Sequence, residues 1–163
     1  MIDATHPFAQ LVTGEIRGAC EISGVQYLRC LREEMEAMPD EADRVIWAQS
    51  VEDAVEYLQN TEGKILITTG SKETDKNIQK LTEYKERCFA RVLSTEQAVM
   101  ESVALGFEGK HLIAMQGPFS KEMNVATIHQ TGAKYFVTKE SGKAGGFGEK
   151  VQAAKEQGQF LLR

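Results

Sequence analysis

Cysteines and basic residues are both scarce in this sequence, and each shortage argues against a class of protein. The cysteines Cys20, Cys30 and Cys88 are an odd number at wide spacings, with no C-x-x-C pair to suggest zinc or redox chemistry. Asp and Glu number 24 against 19 Lys and Arg, whereas a general nucleic-acid binder carries a basic excess. We therefore expect reduced cysteines, at least two of them in the core, and no nucleic-acid partner.

Long apolar runs and several familiar motifs are also missing. No run is long enough to span a bilayer, and no signal-peptide pattern follows Met1. We expect no membrane contact and a cytoplasmic location. The sequence lacks G-x-G-x-x-G, Walker A, G-x-S-x-G and H-E-x-x-H patterns. His6, His111 and His129 have no metal-ligand spacing, so no metal site is expected, and His111 and His129 are interpreted as structural or exposed.

One pattern recurs through the rest of the chain: a short β-branched run, a turn with Gly, Ser or Thr, and an amphipathic stretch at helical spacing. It predicts an α/β fold with a Rossmann-like parallel sheet and helices on both faces. Several runs are apolar on both faces, as buried parallel strands are, and Trp47 is expected in the core. The predicted strands cover residues 25–30, 44–48, 64–68, 88–93, 111–115, 135–138 and 159–162.

Helix signals and one irregular stretch organise the chain further. Pro7 suits the first turn of a helix, and Ser50 with Asp53 forms a capping pattern for another. The apolar faces expected against the sheet comprise Phe8, Leu11, Val12, Ile16 and Ala19 in the first helix and Val51, Ala54, Val55 and Leu58 in the second. Residues 33–43 are acidic, contain a proline and lack periodicity, which predicts a linker. We expect domains at 1–43, the C-terminal part of a truncated first Rossmann-like lobe, and at 44–163, a second such lobe.

The residues that follow strands are the candidates for chemistry, because ligands of parallel sheets bind at the carboxyl ends of the strands. Asp3, Thr5 and His6 follow the first strand remnant. Asp3 and His6 are candidate proton donors, although the pattern alone favours a capped turn with Thr5 or His6 as N-cap. Thr69, Gly70 and Ser71 follow the third predicted strand in a small-residue turn, which suits either close backbone approach to a ligand or a plain connection.

Two later segments have the same placement. Gln116, Gly117 and Ser120 follow an apolar strand, with Gln116 the side chain expected to point into a site; a plain turn remains open. Residues 138–150 are the richest stretch, since glycines permit close approach and lysines supply charges for phosphates or carboxylates. The candidates there are Lys139, Ser141, Gly142, Lys143, Gly145 and Gly146.

These segments together resemble the precorrin-6A reductase family. The resemblance is carried by D-A-T-H-P-F-A at 3–9, T-T-G-S at 68–71, A-R-V-L at 90–93, A-M-Q-G-P-F-S at 114–120 and the loop at 138–150. It implies an enzyme of cobalamin (vitamin B12) biosynthesis that uses NADPH or NADH to reduce one double bond of a tetrapyrrole, precorrin-6A or cobalt-precorrin-6A. It also implies two Rossmann-like lobes with cofactor and substrate between them, and we expect the family's N-terminal strand and Gly-rich turn to be absent from this chain.

The resemblance also implies roles for the candidate residues. Lys139, Ser141 and Lys143 would contact anionic groups, helped by backbone N–H groups at Gly142, Gly145 and Gly146. The cleft wall would include Thr69, Gly70, Ser71, Gln116, Gly117 and Ser120, and the reacting centre Asp3, Thr5 and His6. Two other functions stay open: a non-catalytic nucleotide- or tetrapyrrole-binding fragment, and a methyltransferase-like or generic α/β domain. A homodimer also stays open, because a truncated sheet has an exposed edge.

Overall fold

The computed structural model describes residues 1–5, 10–30, 45–71, 76–139 and 146–162. The chain divides into two compact units, Met1–Glu36 and Ala37–Arg163. The boundary predicted after residue 43 falls outside the described residues. The assignment of 1–43 and 44–163 to two Rossmann-like lobes therefore stays a prediction.

The first unit has one helix and two short strands among its described residues. Strands β1 (Ile2–Asp3) and β2 (Leu28–Arg29) pair in parallel, and helix α1 (Gln10–Ser23) connects them. The strand predicted at 25–30 is confirmed at residues 28–29, toward the end of the predicted range. Since a parallel pair requires a crossover connection, α1 is the element that makes this pairing possible.

The described part of the second unit contains a parallel sheet. Its strands are β3 (Val45–Ile46), β4 (Lys64–Ile67), β5 (Cys88–Val92), β6 (Leu112–Ala114), β7 (Ala133–Val137) and β8 (Phe160–Leu162). They lie in the order β3-β8-β7-β4-β5-β6, and every neighbouring pair is parallel. The α/β fold class is confirmed, and each of these strands overlaps a predicted one.

Helices alternate with these strands along the chain. They are α2 (Val51–Gln59), α3 (Tyr84–Arg87), α4 (Glu96–Ala104), α5 (Lys121–Thr131) and α6 (Phe147–Glu156). Side-chain hydroxyls cap three of them: Ser50, Thr95 and Ser120 each accept a hydrogen bond from the backbone N–H three residues later, at 3.1, 3.3 and 3.3 Å. The cap predicted at Ser50 is thus confirmed, and such caps stabilise the first turn.

The sheet is covered on both faces because alternate strand residues point to opposite sides. Ile65 and Ala90 pack on one face with Leu58 of α2, in a cluster that also includes Ala98 of α4. On the other face α5 contacts β4 and β7, and α6 contacts β8. Leu66 and Phe136, which alternate with the first set, are fully buried. The second face therefore lies beneath α5 and α6.

Four residues that were expected to be buried are exposed. Trp47 is 51% exposed, because it lies just beyond β3, a two-residue strand at the edge of the sheet. On α1, Leu11 is 88% exposed and Val12 50% exposed, and Ala19 is also exposed. The described sheet of the first unit has only two strands of two residues each, which offer little surface on which to bury that helix.

The cysteine prediction is confirmed. All three cysteines are free thiols; Cys20 and Cys88 are buried and Cys30 is exposed. Burial raises the pKa of the Cys88 thiol to about 12, so this side chain behaves as a small core residue. Within the described part of the chain, no helix combines the length and apolar character needed to cross a bilayer.

Candidate functional site

The strand order reverses between β4 and β7, two neighbours in the middle of the sheet. From β4 the chain continues to β5 on one side, and from β7 it continues to β8 on the other. In parallel α/β sheets this reversal opens a crevice outside the carboxyl ends of the two strands, where ligands bind. Thr68 joins those ends, because its N–H and its hydroxyl donate to the Val137 carbonyl at 2.8 and 3.0 Å.

A cavity of about 320 Å³ lies at this edge, and we call it the switch-point cavity. It is lined by Thr69, Gly70, Ser71, Leu93, Thr95, Gln97, Ala98, Glu101 and Lys139. Four of these residues follow β4 or β7 and were predicted as binding residues: Thr69, Gly70, Ser71 and Lys139. The structure therefore brings together side chains that are about 70 residues apart in sequence, while their contact with a ligand stays a prediction.

One hydroxyl in the wall of the switch-point cavity has no hydrogen-bond partner among the described residues. Thr69 Oγ1 is buried without a hydrogen bond from or to any described residue. Thr95, in the same wall, is committed to capping α4 through the Ala98 N–H. Because buried hydroxyls are nearly always hydrogen-bonded, the Thr69 hydroxyl is suited to a ligand. Gly70 adds backbone freedom beside it, with φ at 98° in the region that favours glycine.

A second cavity, of about 510 Å³, lies where α5 and α6 begin, and we call it the Phe119 cavity. It is lined by Pro118, Phe119, Ser120, Lys121, Glu122, Gly146 and Glu149. Two predicted residues, Ser120 and Gly146, meet here. Both lie at helix N-caps: Ser120 caps α5 through the Met123 N–H, and Gly146 precedes α6 with φ at 71°. Helix N-termini carry partial positive charge and favour anions.

Gln116 and Gly117 are placed differently from their predicted companions. They lie in the turn between β6 and α5, and neither lines the switch-point cavity or the Phe119 cavity. Gln116 is exposed. A Cβ at Gly117 would lie 3.0 Å from the Phe119 ring, so glycine lets that ring fold back over the turn. Their predicted binding roles stay predictions, and packing already accounts for Gly117.

Two buried cations near this edge were missed by the sequence predictions. Arg91 of β5 is 4% exposed and Lys150 of α6 is 8% exposed. Arg91 Nη2 donates to Asn124 Oδ1 at 2.8 Å, and its guanidinium lies 4.0 Å from the centre of the Phe119 ring. Lys150 Nζ donates to Thr138 Oγ1 at 2.8 Å. Both charges are thus held by neutral groups between the sheet and its α5–α6 layer.

Their environment lowers the pKa of both side chains. Burial lowers the pKa of Arg91 to about 10, so its guanidinium stays charged at neutral pH. Burial, followed by the charges of Arg91 and Lys139, lowers the pKa of Lys150 to about 8. Sequence signals for both existed. Arg91 interrupts the otherwise apolar strand Cys88–Val92, and Lys150 shares a helical face with buried Phe147 and Ala154.

The first unit contains a separate polar network around Asp3, which is 1% exposed. Its carboxylate accepts hydrogen bonds from the Thr5 N–H at 3.0 Å, the Thr5 hydroxyl at 2.8 Å and the Tyr27 hydroxyl at 2.8 Å, and it pairs with Arg29. Arg29 Nη1 also donates to Thr5 Oγ1 at 2.8 Å and Thr13 Oγ1 at 2.6 Å. The network fixes the residues where β1 ends.

These contacts bear on the chemistry of Asp3. The pKa of Asp3 is held far below its usual range, chiefly by the hydrogen bond from the Thr5 N–H. The hydroxyls of Thr5 and Tyr27 and the Arg29 guanidinium add to this effect. Such a carboxylate stays ionised at neutral pH and is a poor proton donor. The arrangement favours a positioning role for Asp3 toward Thr5. The catalytic roles predicted for Asp3 and Thr5 stay predictions.

Five other predicted residues, His6, Ser141, Gly142, Lys143 and Gly145, lie outside the described residues. The remaining histidines have structural contacts, as expected. His111 Nδ1 lies 2.9 Å from the Cys88 carbonyl and its ring stacks on Phe89, while His129 hydrogen-bonds to Gln157. No cluster of three His, Cys, Asp or Glu residues suited to a metal ion occurs within the described ranges.

Comparison with known proteins gives consistent results. A family model described as Precorrin-6x reductase CbiJ/CobK matches residues 1–162. A relative from Priestia megaterium named cobalt-precorrin-6A reductase is 36% identical over 99% of this chain and 63% of its own length. Relatives of the same name from Salmonella typhimurium and Methanothermobacter thermautotrophicus are 35% and 38% identical over 97% of this chain, and over 59% and 51% of their own lengths.

The fold has a counterpart among solved structures. A chain named CobK precorrin-6A reductase superposes with a TM-score of 0.68 at 21% identity, covering 99% of this chain and 62% of that one. This likeness supports the Rossmann-like description of the fold. The present chain spans between 51% and 63% of the lengths of the three curated relatives.

Proposed function

This chain belongs to the Precorrin-6x reductase CbiJ/CobK family, and we propose that it is part of an enzyme that reduces one double bond of a precorrin-6A macrocycle with NADPH or NADH in cobalamin biosynthesis. The resemblance drawn from the sequence motifs is confirmed as a family assignment. Because the relatives at 35–38% identity are named for cobalt-precorrin-6A, we favour the cobalt-bound macrocycle as substrate.

The observation that carries this proposal is the switch-point cavity with its unpartnered Thr69 hydroxyl. A nicotinamide dinucleotide needs hydrogen-bond partners, backbone that can be approached closely, and positive charge near its phosphates. Thr69, Gly70 and Lys139 supply these three features in one wall. The residues present therefore fit the cofactor, and we assign them its binding.

The protein's part in such a reaction is to bind and orient. When bound, a nicotinamide cofactor supplies the hydride, and the substrate also gains a proton. Thr69 and Lys139 would hold the cofactor, and the predicted loop residues Ser141, Gly142, Lys143 and Gly145 would complete its anion contacts. Asp3, kept ionised, would position Thr5, with Thr5 and His6 as the proposed groups nearest the reacting centre. Gln116, Gly117, Ser120 and Gly146 are proposed for the substrate side.

Isothermal titration with NADPH and with NADH tests the cofactor site and its preference. We expect Thr69→Val to weaken cofactor binding about 3- to 10-fold, which corresponds to the loss of one neutral hydrogen bond. Thr69→Ser keeps the hydroxyl and should bind the cofactor as the unchanged chain does. Lys139→Ala should weaken binding as well, and more so at low salt. Lys110→Ala is the matched control, because Lys110 is exposed in the turn that precedes β6, at the opposite end of the strands.

Three results of the titration would change the proposed cofactor site or define it further. Equal affinity in Thr69→Val and in the unchanged chain would remove the switch-point cavity from the proposal. Equal losses in Lys110→Ala and Lys139→Ala would mean that only net charge matters. If the affinities for NADPH and NADH differ in the unchanged chain and become equal in Lys139→Ala, this lysine contacts the additional phosphate of NADPH.

Turnover separates a reductase from a non-catalytic binding fragment. The chain is mixed with NADPH and cobalt-precorrin-6A, and the nicotinamide absorbance is followed. Its loss supports the reductase proposal, whereas binding of both ligands without loss supports the alternative. Sedimentation velocity in the same buffers tests the homodimer, which stays a proposal.

A further inference from the structure

Arg91 and Lys150 present an energetic problem for the free protein. Each is more than nine-tenths buried, and burying a charge is unfavourable unless it is paired or fully hydrogen-bonded. The partners in the structure are neutral, Asn124 Oδ1 for Arg91 and Thr138 Oγ1 for Lys150. No carboxylate within the described residues forms an ion pair with either cation.

One N–H donor group of the two cations, Arg91 Nη1, has no hydrogen-bond partner among the described residues. This nitrogen is buried, and within those residues the guanidinium therefore uses only part of its donor set. Arg91 and Lys150 also repel each other, since the charge of Arg91 contributes to the lowered pKa of Lys150. Two like charges with an unused donor favour a negatively charged third partner. Stability of the free chain does not account for them.

The position of the pair connects it with a cavity. Phe119 lies over the Arg91 guanidinium and also lines the Phe119 cavity. Asn124 Nδ2 donates to the Ser120 carbonyl at 3.0 Å, which ties the partner of Arg91 to the N-terminus of α5. Lys150 is the fourth residue of α6, a helix that begins directly after Gly146 in the wall of the same cavity. Both cations therefore lie behind the wall that Phe119 and the two helix starts form.

We propose that Arg91 and Lys150 form a binding site for one anionic oxygen group, a carboxylate or a phosphate, reached from the Phe119 cavity past the ring of Phe119. Guanidinium and ammonium groups bind both kinds of oxygen anion. The inference deepens the proposed function, which supplies two sources of such a group: the carboxylates of the macrocycle and the phosphates of the cofactor. The site itself is assigned from burial, unused donors and charge.

The test measures ligand-induced stabilisation of the full chain and of two neutral variants, Arg91→Met and Lys150→Met. Uroporphyrin serves as the polycarboxylate probe, and NADPH and inorganic pyrophosphate serve as the phosphate probes. We expect one class of probe to raise the melting temperature, and each variant to bind that probe about 10- to 100-fold more weakly, the range for hydrogen bonds to charged groups. The class of probe, polycarboxylate or phosphate, that both variants bind more weakly identifies the source of the anion.

Matched controls and a second measurement keep the test decisive. Arg17→Met and Lys110→Met remove the same charges from exposed positions and should leave all affinities unchanged. If a neutral variant does not fold, Arg91→Lys keeps the charge while changing the geometry. The unchanged chain gives an independent result, because its affinity for the active probe should fall as pH rises through about 8, where Lys150 loses its proton.

Two patterns of results separate this inference from the proposed function. If Thr69→Val weakens NADPH binding while Arg91→Met and Lys150→Met affect no probe, the buried pair is not a ligand site and the inference is overturned. If Arg91→Met and Lys150→Met bind a probe more weakly while Thr69→Val leaves NADPH affinity unchanged, the anion site is supported and the switch-point cavity is not the cofactor site. Equal weakening in the exposed controls also overturns the inference.

Discussion

Lys150 illustrates how a single buried residue can connect stability with pH. Its pKa is lowered to about 8 chiefly by burial, with the charges of Arg91 and Lys139 adding to the effect. The unfolded chain holds this proton up to the ordinary lysine pKa of about 10.4. Below pH 8 the folded protein therefore carries an unfavourable buried charge, and between these two values the unfolded state binds more protons.

We expect Lys150→Met to raise the free energy of unfolding at pH 7. The gain is at most about 3 kcal/mol, from the size of the pKa shift. It should shrink as pH rises from about 8 to about 10.4, because the native lysine becomes neutral and the unchanged chain gains stability. Urea denaturation of both proteins across this range measures the difference. A variant that is less stable at pH 7 would mean that the bond to Thr138 outweighs the cost of burial.

At the scale of elements, the helix caps allow stability and binding to be separated. Ser50 and Ser120 have the same local geometry: each hydroxyl accepts a hydrogen bond from the N–H three residues later, at 3.1 and 3.3 Å. Their positions differ, since only Ser120 lines the Phe119 cavity. A shared structural role at two different positions provides an internal control.

We expect Ser50→Ala and Ser120→Ala to lower the free energy of unfolding by similar amounts, about 1 kcal/mol each. Chemical denaturation measures that loss. In the ligand titrations, Ser120→Ala should also change the affinity of the substrate-like probe, whereas Ser50→Ala should leave it unchanged. If both variants bind alike, Ser120 acts only as a helix cap and its proposed binding role is wrong.

The strands were predictable because their apolar character is local information. Ile65–Ile67 is apolar on both faces, and Cys88–Val92 is apolar except for Arg91, a pattern that occurs in buried parallel strands. Burial was less predictable, because it depends on neighbours distant in sequence. Trp47 is exposed at a sheet edge, and Arg91 is buried, although their types suggest the opposite. The placement of Thr69 and Lys139 at one binding edge was predicted because both residues follow strands. The pair of Arg91 and Lys150 required the packing of α5 and α6.

At the scale of the whole molecule, the two units should respond differently to acid. The Asp3 network belongs to the first unit, where it ties β1 to β2 through Tyr27 and Arg29. The carboxylate has a depressed pKa in the folded chain, so its contribution to stability is complete above the unfolded value of about 3.9 and is lost as pH falls below it. In the second unit, the carboxylate of Glu156 is about half exposed where it pairs with Lys121, and an exposed ion pair contributes little to stability.

We therefore expect the first unit to lose its structure at a higher pH than the second as the protein is acidified below about pH 4. Two-dimensional NMR follows both units at once: the amide signals of Ile2 and Leu28 report on the β1–β2 pair, and those of Ile65 and Phe136 on the central sheet. In Asp3→Asn the first set should already be weakened at pH 7 and should lose its acid transition, because the amide does not titrate and forms no ion pair with Arg29. Simultaneous loss of both sets in the unchanged chain would show that the units unfold as one cooperative structure, and that Asp3 stabilises the whole of it.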